Sequence, residues 1–288
     1  MPELPLESTA VVTVSYNSGR HLRAFLSSVR ASEPASLAVI VADNGSTDVA
    51  ATRAVCAEFS ATLLELGENL GYGGAINRAV ATLAPGIQYV LITNPDVVFE
   101  DGAISALETA LQSSTAAGAV GPRVLNADGT VYPSARTLPS LRTGIGHALF
   151  SRTWRSNPWT ARYLSDTSDS EVEREAGWLS GSCLMVRRDA FDAIGGFDDK
   201  FFMYFEDVDL GYRLGRAGWQ NRYAPSAVVT HTGAHSTSTE SGRMIEAHHH
   251  SAYRYLSRKY RGWYLAPLRW SLGIGLRARA WWLTRAGH

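Results

Sequence analysis

Cysteine is scarce in this chain: only Cys56 and Cys183 occur, each in an apolar stretch without Cys-x-x-Cys or Cys/His spacing. That excludes a disulfide scaffold and a zinc site, and it fits a reducing, cytosolic compartment. Net charge is missing too, with 27 basic against 27 acidic residues. The field of the whole chain therefore gives a polyanion no reason to bind, and nucleic acid is not an expected partner. The N-terminus lacks a basic segment followed by an apolar core and carries Glu3 and Glu7 instead, so a secretory signal is not expected. No run approaches the roughly 18 to 20 apolar residues that span a bilayer. The first strand is not followed by Gly-x-Gly-x-x-Gly, which disfavours a dehydrogenase. Acidic residues stop after Glu246, while Arg254, Arg258, Lys259, Arg261, Arg269, Arg277, Arg279 and Arg285 continue among tryptophans and tyrosines.

What is present is a large apolar share, 45% of 288 residues, enough for one large domain or two small ones. The first hundred residues alternate short β-branched runs with Ala- and Leu-rich stretches, the pattern of a parallel sheet with helical crossovers. It predicts strands over 10–15, 37–42, 61–66 and 89–93, and helices over 20–30, 48–59 and 73–83. A helix follows over 101–115, then strands over 118–133 interrupted by the hairpin signal Asn126-Ala127-Asp128-Gly129. Residues 134–175 show no sustained period and read as a partly helical insertion. A strand over 177–187, a helix over 205–217 and two strands, 220–223 and 227–231, complete the pattern. Each early strand ends in a polar or glycine-rich turn, and in a doubly wound sheet those turns share the edge where ligands bind.

Four groups of residues at such ends carry possible chemistry. Asp43-Asn44-Gly45-Ser46-Thr47-Asp48 can meet a base N–H and phosphate, or can be an ordinary turn with Asp48 as helix cap. Asn94-Pro95-Asp96 places a carboxylate where a divalent cation needs a hard oxygen, and it is also a common turn sequence. Glu206-Asp207-Val208-Asp209 sets three acids in a first helical turn. These suit the helix dipole, yet they directly follow Phe201-Phe202-Met203-Tyr204-Phe205, where a base for a sugar hydroxyl would sit. His231 ends a strand and is either a surface residue or a metal ligand. His248-His249-His250 reads as a solvated helical face or an acceptor-side contact.

Taken in order, these segments resemble the family 2 glycosyltransferases, inverting enzymes with the GT-A fold, and among them the bacterial rhamnosyltransferases. The resemblance covers roughly residues 11–231. It is most specific at Gly181-Ser182-Cys183-Leu184-Met185-Val186-Arg187-Arg188, Gly195-Gly196-Phe197-Asp198, Phe205-Glu206-Asp207-Val208-Asp209-Leu210, Arg213 and Gly218-Trp219, with Asn69, Gly71 and Asn77 upstream. It implies an α/β Rossmann-like mixed sheet with a C-terminal helical extension. The domain would span 1–235, with a nucleotide half (1–98) and an acceptor half (99–235), followed by the extension, 236–288. It further implies that Ser15, Tyr16, Asn17 and Asp43 hold the nucleoside. Asn69, Gly71, Tyr72, Gly73 and Asn77 would line the donor pocket, with the two glycines letting the backbone come close. Asn94 and Asp96 occupy the Asp-x-Asp position, departing from it at Asn94. Asp96 and His231 would bind Mg2+ or Mn2+. Asp207 would be the catalytic base, with Glu206 the alternative, while Trp178, Gly181, Ser182 and Arg213 would meet acceptor or phosphate.

The implied donor is dTDP-rhamnose and the implied acceptor a sugar on polyprenyl diphosphate. A UDP- or GDP-sugar donor with a polysaccharide acceptor, or a binding protein without turnover, is the other reading. The aromatic, arginine-rich tail suits the headgroup region of an anionic membrane, and equally a helix packed on the domain or a homodimer contact. The expected location is cytoplasmic, peripheral at the inner face of the cell membrane.

Overall fold

The computed structural model describes residues 8–32, 37–140, 171–233 and 241–286. At its centre runs β1 (Thr9–Ser15), buried along its whole length, as a β-branched apolar run covered on both faces must be. It pairs in parallel with β2 (Ala38–Asp43) and β4 (Tyr89–Thr93), and β2 with the edge strand β3 (Thr62–Glu65). Beyond β4 the sheet turns mixed: β11 (Cys183–Arg187) lies antiparallel to both β4 and β6 (Ala117–Asn126). Next comes β12 (Gln220–His231), parallel to β6, and β5 (Val97–Phe99) closes the row antiparallel to it. The order is β3-β2-β1-β4-β11-β6-β12-β5.

Alternate residues of these strands feed two cores. Val11, Leu91 and Met185 pack on the side of α1 (Gly19–Ser32), whose Leu22, Phe25, Leu26 and Val29 recur at helical spacing, and of α4 (Ala103–Gln112). Val12, Ile92 and Leu184 face the other way, with Ile76 of α3 (Gly71–Val80), Phe197 and Leu210. Helix α2 (Val49–Glu58) begins at Asp48, whose carboxylate accepts from the Ala51 N–H at 3.3 Å, so the capping reading of that residue holds.

Strand directions place the chemistry. β6 and β12 run with β4, so Ser15, Asp43, Thr93 and His231 all end at one edge of the sheet. β11 runs the other way and begins there, bringing the turn Ser180–Ser182 to the same edge. The strand expected over 177–187 is thus two: β10 (Trp178–Leu179), paired with β8 (Ala135–Arg136), and β11, broken by that turn. The two strands expected over 220–231 are one, with a register shift between Ala224 and Val228 where Pro225 cannot donate to the ladder. The hairpin signal holds, with β7 (Val131–Tyr132) folding back on β6 and Gly129 at φ 81. Of the expected insertion, residues 141–170 lie outside the described residues; β9 (Arg174–Ala176) pairs β12.

Short helix α5 (Arg188–Ala193) follows β11, and α6 (Glu206–Arg216) carries the three acids. Helix α7 (Ser241–Lys259) lies against α6: Tyr255 is fully buried with Phe201 and Val208. A single 3-10 turn, Trp263–Leu265, leads into α8 (Ala266–Ala286), which packs along α7.

Candidate active site

At the first corner of this edge Ser15 and Asp43 are register partners, both buried. The Asp43 Oδ1 accepts from the Ser46 N–H at 3.0 Å, while its Oδ2 and the Ser15 hydroxyl are buried without partners. An unpaired buried carboxylate oxygen is costly, so an N–H donor from outside the protein fits there. Asn17, at φ 54, staples the first loop to the second: its N–H donates to Ser46 Oγ (3.0 Å) and its Oδ1 accepts from the Thr47 N–H (2.9 Å). Tyr16 between them is 45% exposed, a ring left open to a ligand.

Asn44, which the sequence reading passed over as part of a turn, ties this corner to the next. Its amide donates to Asn69 Oδ1 (2.9 Å) and the Gly71 carbonyl, and its oxygen accepts from the Leu70 N–H (2.8 Å). Asn69 is consumed in the same way, accepting from the Gly71 N–H at 3.0 Å. The two glycines allow close packing within the protein. A Cβ on Gly71, at φ 75, would meet the Phe202 carbonyl oxygen at 2.4 Å, and one on Gly73 the Phe197 Cβ at 2.7 Å. Asn77 is likewise spent within the fold, donating to the Phe197 carbonyl and Asp199 and accepting from the Phe197 N–H. It fastens α3 to the turn after α5.

Asp96 forms the second corner and is clamped through its main chain, its carbonyl accepting from both the N–H and the hydroxyl of Thr232 at 3.0 Å. Its Oδ1 lies 3.1 Å from His231 Nε2, which is also 3.4 Å from the Asn94 amide nitrogen. Its Oδ2 is buried and unpartnered. Among the described residues no three His, Cys, Asp or Glu side chains cluster. A hard oxygen without a partner beside an imidazole nonetheless suits a divalent cation that takes its other ligands from a diphosphate.

The turn 180–182 joins this corner to the acids of α6. The Asn94 N–H donates to the Ser182 carbonyl at 2.9 Å, and one residue away the Gly181 N–H donates to Asp207 Oδ2 at 3.0 Å. Tyr72 bridges the same turn, its hydroxyl donating to the Gly181 carbonyl at 2.6 Å. Burial, and after it the charges of Glu206, the Cys183 thiol, Asp207 and Asp96, raise that phenol well above its ordinary value. Asp96 and Asp207, 111 positions apart by number, therefore both raise the phenol of the one buried tyrosine. Ser182 contributes its carbonyl and pairs its hydroxyl with Ser180 at 3.0 Å.

Helix α6 starts after two consecutive left-handed residues that are not glycine, Tyr204 (φ 64) and Phe205 (φ 65), a strained entry of the kind retained where it aims a functional group. Asp207 accepts from the N–H groups of Gly181 and Val208. Burial pushes its carboxyl up against the pull of those two N–H groups, its own N–H and the Arg136 guanidinium. Burial and the Asp207 charge push Glu206 to about 8. Arg136, missed in the sequence, stands over the Trp178 ring at 6.0 Å. Trp178 donates to the Thr137 carbonyl and packs against Gly211, one helical turn beyond Asp207. Arg213 does not join the cleft. Its Nε binds the fully buried Asp209 at 2.6 Å and one terminal nitrogen the Ile194 carbonyl, while the other terminal nitrogen is buried without a hydrogen-bond partner. Arg258 of α7 reaches the same Asp209 at 2.5 and 2.7 Å and also binds Asp198.

A mixed sheet that gathers the unpartnered oxygens of Asp43 and Asp96 and the carboxylate of Asp207 along one edge has the arrangement of a GT-A glycosyltransferase. The Pyrobaculum calidifontis mannosyltransferase PcManGT, solved with GDP-Man and Mn2+, has this fold, with TM-score 0.60 and 15% identity over 98% of this chain and 76% of its own. So does GalNAc-T7, solved with UDP, GalNAc and Mn2+: TM-score 0.58 and 14% identity over 80% of this chain and 44% of its own. The chain belongs to the glycosyltransferase-like family 2, whose profile matches residues 5–249. Among curated relatives, the N-acetylglucosaminyl-diphospho-decaprenol L-rhamnosyltransferase of Mycobacterium tuberculosis is 46% identical over 285 residues, 96% of this chain and 92% of the relative. Rhamnosyltransferase WbbL of Escherichia coli is 26% identical over 255 residues, 86% of this chain and 92% of its own.

Proposed function

We propose that this chain moves L-rhamnose from dTDP-rhamnose, with inversion, to a sugar carried on polyprenyl diphosphate at a membrane surface. The observation that carries the reading is the Asn94–Ser182 and Gly181–Asp207 pair of hydrogen bonds, which tie the Asn94–Asp96 loop and the Asp207 carboxylate to one turn and so support a cation and a base acting on one substrate. Near-full-length identity of 46% to a rhamnosyltransferase named for a lipid-linked substrate supports the donor and acceptor class.

In this reading Asp43 and Ser15 hold the thymine base and Tyr16 lies against it. Asp96 and His231 would hold a divalent cation, Mg2+ or Mn2+, and its charge would neutralise the diphosphate. Asn94 orients His231. Asp207 takes the proton of the acceptor hydroxyl as its oxygen attacks the anomeric carbon and the bond to the nucleoside diphosphate breaks. The Gly181 and Val208 N–H groups favour the charged form of Asp207 and oppose the effect of its burial. Among the described residues no helix is long and apolar enough to cross a membrane. Trp263, Tyr264, Trp270, Ile274 and Trp281 are nevertheless exposed on a segment that carries arginines and no acid, and they would meet the headgroups.

General base catalysis contributes about a hundred- to ten-thousandfold, so Asp207→Asn is expected to lose at least a hundredfold in turnover while its affinity for dTDP-rhamnose, measured by calorimetry, stays near normal. Transfer at the wild-type rate would reject the base, and loss of donor binding would place Asp207 in the donor pocket instead.

A further inference from the structure

Two carboxyl groups begin α6, and they are not served alike. Asp207 receives N–H donors from Gly181 and Val208 and stands in the field of Arg136. Glu206 has only its own main-chain N–H: no side chain pairs with it among the described residues, and its Oε2 is buried without a hydrogen-bond partner. The groups around it are also acids. Asp207 follows it, and Tyr204 precedes it with its phenol raised by burial and then by the Glu206 charge. Tyr72 of α3 faces it, and Glu206 is the foremost charge raising that phenol. Behind Tyr72 lie Cys183 and Asp96, and from α7 His248 stacks on Tyr204 and Phe205, with His249 beside it. Among the described residues Arg136 acts on Asp207, and Arg279 of α8 acts on His248.

A buried carboxylate with no donor and a charged neighbour next to it is unfavourable, whereas a buried carboxylic acid keeps an O–H to give. When paired titratable groups have environments that push them apart, their acid and base roles follow. We propose that Glu206 works as a neutral carboxylic acid, donating a hydrogen bond to an oxygen of the acceptor sugar, and leaves Asp207 as the single charged carboxylate of the pair. This rests on the reading of Asp207 as the base. Glu206 keeps its proton throughout, and the proton of the acceptor hydroxyl goes to Asp207. Ionisation of Glu206, near pH 8, removes the donor and sets a second charge beside the base, so kcat/KM for the acceptor falls on the alkaline side.

The test compares the pH profiles of Glu206→Gln, Asp207→Asn and the wild-type full chain with a polyprenyl-diphosphate sugar, with infrared difference spectra on the same proteins. An amide still donates a hydrogen bond and cannot ionise. Glu206→Gln is expected to lose only about two- to tenfold, the worth of a weakened hydrogen bond, and to flatten the alkaline limb. It also removes a protonated-carboxyl C=O band that the wild type shows at neutral pH. A loss as deep as that of Asp207→Asn, an unchanged alkaline limb, or no such band in the wild type would overturn the proposal. Normal transfer by Asp207→Asn would instead sink the base assignment, and the neutral-acid role with it.

Discussion

At the scale of single residues, the site is built from oxygens that the protein leaves unsatisfied. Asp43 Oδ2 and Asp96 Oδ2 are each buried without a partner, while the second oxygen of each carboxylate is engaged by its own surroundings. Such oxygens raise the energy of the empty protein, and a ligand recovers that energy. Asp96→Ala is therefore expected to abolish the cation dependence of dTDP-rhamnose binding; calorimetric affinities that respond to Mn2+ as in the wild type would remove Asp96 from the metal. These residues were legible in the sequence because each follows a short apolar strand, and a strand end fixes where a side chain can go. Asn44 and Asn77 were not. Both look like turn or helix polar residues until their partners are known, and those of Asn77 lie 120 and 122 positions away. The ion pair of Arg213 was within reach of the sequence, because Asp209 stands four residues before it, a spacing that pairs the two on one helix face.

At the scale of elements, the acid-bearing helix is held by a neighbour from the end of the chain. Asp209 is fully buried and shares its carboxylate between Arg213 of its own helix and Arg258 of α7, which also reaches Asp198. Removing one partner from a buried ion pair costs about 3 to 5 kcal/mol. Arg258 is 31% exposed and Asp209 keeps Arg213, so Arg258→Ala is expected at or below the lower end, about 2 to 3 kcal/mol by urea unfolding. With α6 less firmly seated, kcat is expected to fall more than the donor KM rises. A change within about 0.5 kcal/mol would mean that solvent screens the pair. This clasp could not be read from residue order, since periodicity identifies a helix and its apolar stripe but not which buried acid its arginine will meet. Periodicity did reveal the parallel half of the sheet. It failed around Ser180–Ser182 and Pro225, where the turn between β10 and β11 and the shift within β12 depend on pairing between distant strands.

At the scale of the whole molecule, the chain has a reactive edge on its sheet and an aromatic, cationic face on its last helices. Trp263 is 86% exposed and Trp270 76%, far more than packing on the domain would leave. If that face meets anionic lipid, the full chain floats with liposomes containing acidic phospholipid, and a variant lacking residues 262–288 stays behind. Equal flotation would leave the aromatics as a contact between copies of the chain, to be seen as a change in oligomeric state on the same deletion. The clasp made by Arg258 also has a consequence in time. It lies 49 positions after Asp209, and a ribosome adding roughly 5 to 20 residues each second needs about two to ten seconds to cover that distance. During synthesis the helix that carries Glu206, Asp207 and Asp209 is made before the Arg258 cation that seats it, so that helix stays less firmly held until α7 follows.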